Sequence, residues 1–393
     1  MNRLFAAGIV LGAFAVATGP ALAQQPIKIG LIMPYSGQFA DAATQMDNAV
    51  KLYVKEHGDA VAGRKLEFIR RDTGGVAPDV AKRHAQELVV RDNVDILAGF
   101  VLTPNALAAA DVSAEAKKFL VVMNAATAII TTKSPYIART SLTTPQINES
   151  LGIWAAKKAG VRKAYTMVSD YGPGIDAEGA FQSGFKASGG EIVGSVRMPV
   201  ANPDFFPFVQ RAKDINPEAI FVFVPGGAQP GAFGKALVDL GVDTKKTRVM
   251  GQGEITDENA LKVMGDAALG LITAFHYDHN HKSAANAKFV AAYHSAYGRN
   301  PDFFSIGGWD GMHLIYESLK KTGGKTDAEQ LIAAAKGMKW ESPRGPISID
   351  PETRDIIQTV YIRRVEKIEG RLLNVEIDKI ENVKDPVKER MKK

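Results

Sequence analysis

The 393-residue chain contains no cysteine. That absence excludes disulfides, thiolate metal sites, cysteine nucleophiles and attachment of lipid to an N-terminal cysteine. A charge excess is nearly missing too. Lys and Arg number 48 against 43 Asp and Glu, a formal +5, too small over this length to point to nucleic acid or an acidic membrane surface. Long apolar runs are also lacking: Leu4–Val16 spans 13 residues, short of the ~20 that cross a bilayer. No later segment reaches that length without charges. Histidines number seven, and no Ser-His-Asp order stands out among them, so an enzyme is not expected. What remains, 46% hydrophobic and 23% charged residues, is the composition of a soluble globular protein with room for roughly two domains of ~100–200 residues each.

Residues 1–23 are read as an address rather than as fold. Arg3 supplies a positive start and Leu4–Val16 the apolar run. Thr18-Gly19-Pro20 breaks that run, and Ala21-Leu22-Ala23 places small residues at −3 and −1 of a cut before Gln24. This is the layout of a cleavable secretory signal, cut after Ala23. Without a cysteine the exported chain has no lipid tether, so a free periplasmic location is expected.

From Gln24 onward, short apolar runs alternate with amphipathic stretches. Ile27–Met33, Lys65–Arg71, Asp95–Gly99 and Phe119–Asn124 read as strands, separated by helices over Asp41–Glu56, Pro78–Arg91 and Pro104–Lys118. A second series follows Arg139-Thr140-Ser141, with strands at Lys163–Ser169, Glu191–Met198, Ala219–Val224 and Arg248–Gly251. Continuous apolar strands between helices predict parallel sheets covered on both faces, here two open, doubly wound α/β lobes. The remainder, with a strand at Leu269–Phe275 and helices over Ser283–Tyr297, Phe303–Lys321 and Asp327–Lys336, makes no third domain. It closes with strands at Ile347–Ile349 and Ile357–Val365, without a following helix. Asp385–Lys393 reads as a solvated, charged tail. No linker separates the lobes, so several crossings between them are expected.

Ligands of open α/β sheets sit at the carboxyl ends of strands. There the first lobe offers Tyr35, Phe100, Thr103 beside Pro104, and Ala125-Ala126-Thr127; the second offers Tyr171, Gln229 and Glu254. Thr103 is placed to cap a helix, and two helix starts with free N–H groups and hydroxyls would receive a carboxylate. Ordinary N-capping accounts for the same residues equally well. Tyr35, Phe100, Tyr171 and Phe304 could supply flat apolar walls for a small organic ligand.

The segments IKIGLIMPYSGQFA, DILAGFVLTP, VVMNAAT, SDYGPG and FFSIGGWDGM, in that order and spacing, resemble periplasmic solute-binding proteins of ABC importers, of the Leu/Ile/Val-binding type. The resemblance covers essentially all of the chain after residue 23. It implies the type I periplasmic fold, two lobes joined by a three-crossover hinge: residues 24–141 with 277–343, and 142–276 with 344–393. It implies no cofactor, a monomer, and an inner-membrane ABC permease as partner. Ligand contacts then fall on Thr103, Ala125, Thr127, Tyr171 and Phe304. Gln229 stands where amino-acid binders place a second cleft tyrosine. The ammonium-facing acid falls at Gly253, one position from Glu254. The sequence also resembles the aromatic-acid binders of that family, so the expected ligand is a benzoate- or cinnamate-like acid or, alternatively, a branched-chain or hydrophobic amino acid.

Two other chemistries compete. Gly172-Pro173-Gly174-Ile175-Asp176-Ala177 matches a relaxed dinucleotide fingerprint, but the following acid, Glu191, opens its strand instead of ending it. His276, Asp278, His279 and His281 could hold a metal in an exported metal-binding protein. Against this, they follow Phe275 where the chain is expected to change lobes, so a polar hinge crossing accounts for them as well.

Overall fold

The computed structural model describes residues 25–244 and 246–392. The expected export signal lies outside them. Among the described residues no helix is long and apolar enough to cross a membrane.

The first half builds one sheet from β1 (Ile27–Met33), β2 (Ala60–Val61), β3 (Arg64–Asp72), β4 (Ile96–Gly99), β5 (Phe119–Val122) and β6 (Ile137–Arg139), interleaved with α1 (Ala40–His57), α2 (Pro78–Val90) and α3 (Thr103–Glu115). The strand order is β2-β3-β1-β4-β5-β6, parallel except at β2. Alternation along β1 explains why both faces are covered. Ile29 and Leu31 join the core under α1, while Ile32 joins the core of α2 and α3 on the other side.

The chain then enters α4 (Thr144–Lys157), capped by a reciprocal Thr143–Gln146 box. It continues through β7 (Lys163–Ser169), α5 (Gly172–Ala187), β8 (Glu191–Met198), α6 (Phe206–Ile215), β9 (Ala219–Phe223), α7 (Gln229–Asp239), β10 (Arg248–Gln252), α8 (Glu258–Met264) and β11 (Ile272–Phe275). Helices α9 (Ala284–Tyr297), α10 (Phe303–Lys321) and α11 (Ala328–Ala335) follow; α9 and α10 return to pack on α1. Strands β12 (Lys339–Ser342), β13 (Gly345–Ile349), β14 (Ile356–Ile368) and β15 (Arg371–Val383) complete the second sheet. Its order is β12-β13-β14-β11-β10-β9-β7-β8, with β15 on β14. Pairing is parallel from β8 to β11 and antiparallel beyond, so each half is a mixed α/β lobe with a parallel centre.

The carboxyl end departs from the expectation. β14 and β15 form a long hairpin of 13 residues per strand, and the tail carries a helix, α12 (Pro386–Met391). Lys388 on that helix is buried against Asp355 instead of solvated.

Each crossing between the sheets holds a buried arginine. Arg139 pairs with Asp355 at 2.6 Å, Arg344 with Asp310 at 2.9 Å, and Arg363 with Asp278 at 3.1 Å. Arg344 also donates to the carbonyl of Ser141 at 2.8 Å, tying the third crossing to the first. A buried charge is tolerated only when paired, and these pairs fix the crossings.

Candidate functional site

Between the sheets lies a small cavity of ≈ 40 Å³. Its first-lobe wall is set by the turn after β4. Gly99 has φ +105°, and a Cβ there would stand 2.9 Å from Met33, so the sharp turn requires glycine. Phe100 follows at φ +64°, which turns its ring away from the cleft into the core of α2 and α3. Phe100 is therefore no wall of the cavity; Val101, Leu102 and Thr103 line it instead.

Thr103 is the first helical residue of α3, not its cap: the capping position is Leu102, with no side-chain bond to the helix. The Thr103 hydroxyl accepts instead from Thr127, from its N–H at 3.4 Å and its Oγ1 at 3.2 Å. Opposite, α5 starts at Gly172 behind Tyr171, again without a side-chain cap. Leu102, Thr103, Tyr171 and Pro173 all line the cavity, so two uncapped helix starts border one space from opposite lobes. The lobes are in close contact there. A Cβ on Gly172 would lie 3.0 Å from Thr127 Oγ1, and Asp176 accepts from the Ala128 N–H at 2.8 Å.

Aromatic rings supply part of the remaining walls: Phe39, Phe223, Phe303 and Phe304, with Tyr171, beside Leu142, Pro225 and Gly226. Phe303 and Phe304 lie 3.9 Å apart between centroids with their planes tilted by 37°, and Tyr171 lies 6.3 Å from Phe223. One ionisable side chain faces this apolar space from the turn after β10. Glu254 is buried, with Oε1 accepting from Gln252 Nε2 at 2.8 Å and Oε2 without a partner. Burial pushes its carboxyl up to about 7. Burial, with Glu254 nearby, also raises the Tyr171 phenol above its ordinary range.

The expected site residues thus divide. Thr103, Ala126, Tyr171, Glu254 and Phe304 line the cavity. Thr127 stands behind Thr103, and Ala125 is a buried prop whose carbonyl, like that of Thr127, accepts from Arg139. Tyr35 and Gln229 do not reach the cavity wall. Tyr35 packs on the first-sheet core with its hydroxyl unpartnered, and Gln229 donates to the Val200 carbonyl at 2.7 Å. Phe39, Phe223, Phe303, Asn124 and Gln252 line the cavity without having been singled out. Asn124, Phe223 and Gln252 end or follow parallel strands, which is a signal the chain carries; the orientation of Phe39 is set only by packing.

Beyond Phe303 and Phe304 opens a larger space of ≈ 740 Å³, bordered by Asp41, Asp257, Asp278, Arg299, Asp302 and Arg363. The histidine run lies apart as a set. His276 is fully buried beneath Arg344 and Arg363, Asp278 is taken by Arg363 and Asn374, and His281 Nδ1 meets Glu376 at 2.8 Å. Among the described residues no group of three or more such side chains could hold a metal ion. Glu191 opens β8 on the exposed side, away from the Gly172 turn.

A family model described as periplasmic binding protein matches residues 26–370. The Leu/Ile/Val-binding protein homolog 6 of Brucella abortus (strain 2308) is 44% identical over 380 residues, covering 96% of this chain and 97% of that protein. A solute binding protein of an ABC transporter from Rhodopseudomonas palustris BisB5, solved with 3,4-dihydroxybenzoic acid, is 54% identical at a TM-score of 0.89, covering 92% of this chain and 99% of that one. Its counterpart from R. palustris HaA2, solved with p-hydroxybenzoic acid, is 43% identical at the same TM-score and coverage.

Proposed function

The chain belongs to the periplasmic binding protein family, the substrate-binding components of ABC transporters, and we propose that it captures a small aromatic carboxylate by closing two lobes around it. One observation carries this reading: two uncapped helix starts, of α3 and α5, border a single cavity that five aromatic rings also line. The helix starts supply N–H donors and positive dipole ends for the carboxylate, and the rings supply the apolar sandwich for its body. The ligands of the two Rhodopseudomonas proteins support the same class.

The lobes in this reading are residues 24–141 with 277–343, and 142–276 with 344–393. Closure follows differential affinity, because the complete receptor exists only in the closed form. The closed protein then delivers its ligand to an inner-membrane permease. It acts as a monomer without catalysis, after export to the periplasm and cleavage behind Ala23. A hydrophobic amino acid is the second reading, favoured by Glu254 in the cavity and by the name of the Brucella relative.

The test is a thermal-shift screen of the exported chain with benzoates, cinnamates, leucine and valine. A ligand at a hundred times its Kd adds ~2.7 kcal/mol to stability. Stabilisation by leucine or valine, with every aromatic acid inert, would replace the first reading by the second.

A further inference from the structure

Glu254, which lines the cavity, has one carboxyl oxygen whose partner is missing. Asn148 Nδ2 donates to Gln252 Oε1 at 2.7 Å and to the Thr144 carbonyl. That bond fixes the Gln252 amide so that its NH₂ faces Glu254 Oε1, at 2.8 Å. The carboxyl is thus locked in place with one oxygen satisfied. Oε2 is buried without a partner, on a residue that borders the cavity together with five aromatic rings. A buried polar atom in that position is costly unless something arriving in the cavity bonds to it.

Topology sets how far this atom stands from the helix starts. Glu254 follows β10, whereas the α5 start follows β7, and β9 lies between them. Two strand spacings separate the backbones, about 10 Å. An α-amino group sits one carbon from its carboxylate, whereas a hydroxyl across a ring sits a ring's length away.

The charged and titratable groups facing Glu254 are few. Arg363 donates to the neighbouring Gly253 carbonyl at 3.3 Å, Asp257 lies further along the same turn, and Tyr171, which lines the same cavity, feels its charge. Burial favours the uncharged carboxyl, which suits a neutral hydroxyl better than an ammonium.

We propose that Glu254 is the specificity-determining residue of the cleft: its Oε2 pairs with a hydroxyl carried on the ring of the ligand, so hydroxylated aromatic acids are selected over unsubstituted ones. This rests on the reading that the ligand is an aromatic carboxylate. It adds which of them the cavity prefers, and which atom chooses.

The experiment is calorimetric titration of the exported chain with benzoate, 3-hydroxybenzoate, 4-hydroxybenzoate and leucine, for the wild type and Glu254→Leu. A ring hydroxyl in one of the two positions should raise wild-type affinity about ten- to a hundredfold over benzoate. In Glu254→Leu the ratio should fall to within about threefold of one. A ratio that persists in the variant, or that is absent from the wild type while benzoate binds, overturns the assignment of Glu254. If the variant does not fold, the wild-type series alone decides, with 4-methoxybenzoate as the ligand that fills the space without donating. Binding of leucine with every benzoate inert instead overturns the aromatic reading beneath it.

Discussion

Asp176, the fifth residue of α5, accepts a hydrogen bond at 2.8 Å from the backbone N–H of Ala128, which follows β5 of the first sheet. The bond lies near the contact of Gly172 with Thr127, each residue one or a few positions along the same segments. In the closure proposed above this bond forms as the lobes meet, so it would contribute to the closing equilibrium rather than to either lobe's own stability.

Asp176→Ala is accordingly expected to weaken ligand affinity about tenfold, as loss of one hydrogen bond to a charged acceptor does. Asp176→Asn, which keeps an accepting oxygen, should retain most of it. Calorimetry on both variants checks this. Equal affinity in wild type and alanine variant would mean the bond contributes nothing to closure.

A second prediction concerns the tail. Asp355 is buried between Arg139 and Lys388. Lys388→Met leaves a neutral Arg139–Asp355 pair and should cost no more than about 1 kcal/mol. Asp355→Ala strands two buried cations and should cost about 3–5 kcal/mol. Urea unfolding of both variants orders them, and a lysine variant as unstable as the aspartate variant would refute the charge balance described.

The third prediction is a pH dependence. Burial raises Glu254 from 4.5 to about 7, Asp257 from 3.8 to about 6 and Asp302 from 3.8 to about 7. The folded chain therefore holds these protons more tightly than the unfolded chain does. Their contribution favours the folded state below the unfolded values near 4, and it is lost as pH rises through 6 to 7. Glu254→Gln removes one such group. The variant should gain on the wild type by about 3 kcal/mol between pH 4 and pH 8, an order-of-magnitude figure. Chemical denaturation of both proteins across that range measures the gain; no change with pH, or a relative loss, would contradict it.

The fold was legible because buried parallel strands are written as apolar runs: β1, β5, β7 and β9 all read directly. Strand-end logic reached Thr103, Tyr171 and Glu254, and the family resemblance reached Phe304. It failed at Phe100, whose left-handed backbone reverses the direction a side chain after β4 would take. It failed differently at the tail. Val375 and Ile377 alternate with charged neighbours on β15, which resembles a solvated segment when read alone. Lys388 looks solvated for the same reason, since its partners Asp355 and Thr131 are distant in sequence and only the topology unites them.

The two helix starts have a mechanical consequence. In the reading proposed above each lobe owns half of the receptor, so the ligand's carboxylate would act as a rivet between two bodies otherwise tied mainly by the buried arginines of their crossings. Spreading the lobes by a few ångströms breaks the receptor into halves, neither of which grips well. A partner protein could therefore unload the cargo by leverage on the outer surfaces, never touching the cargo.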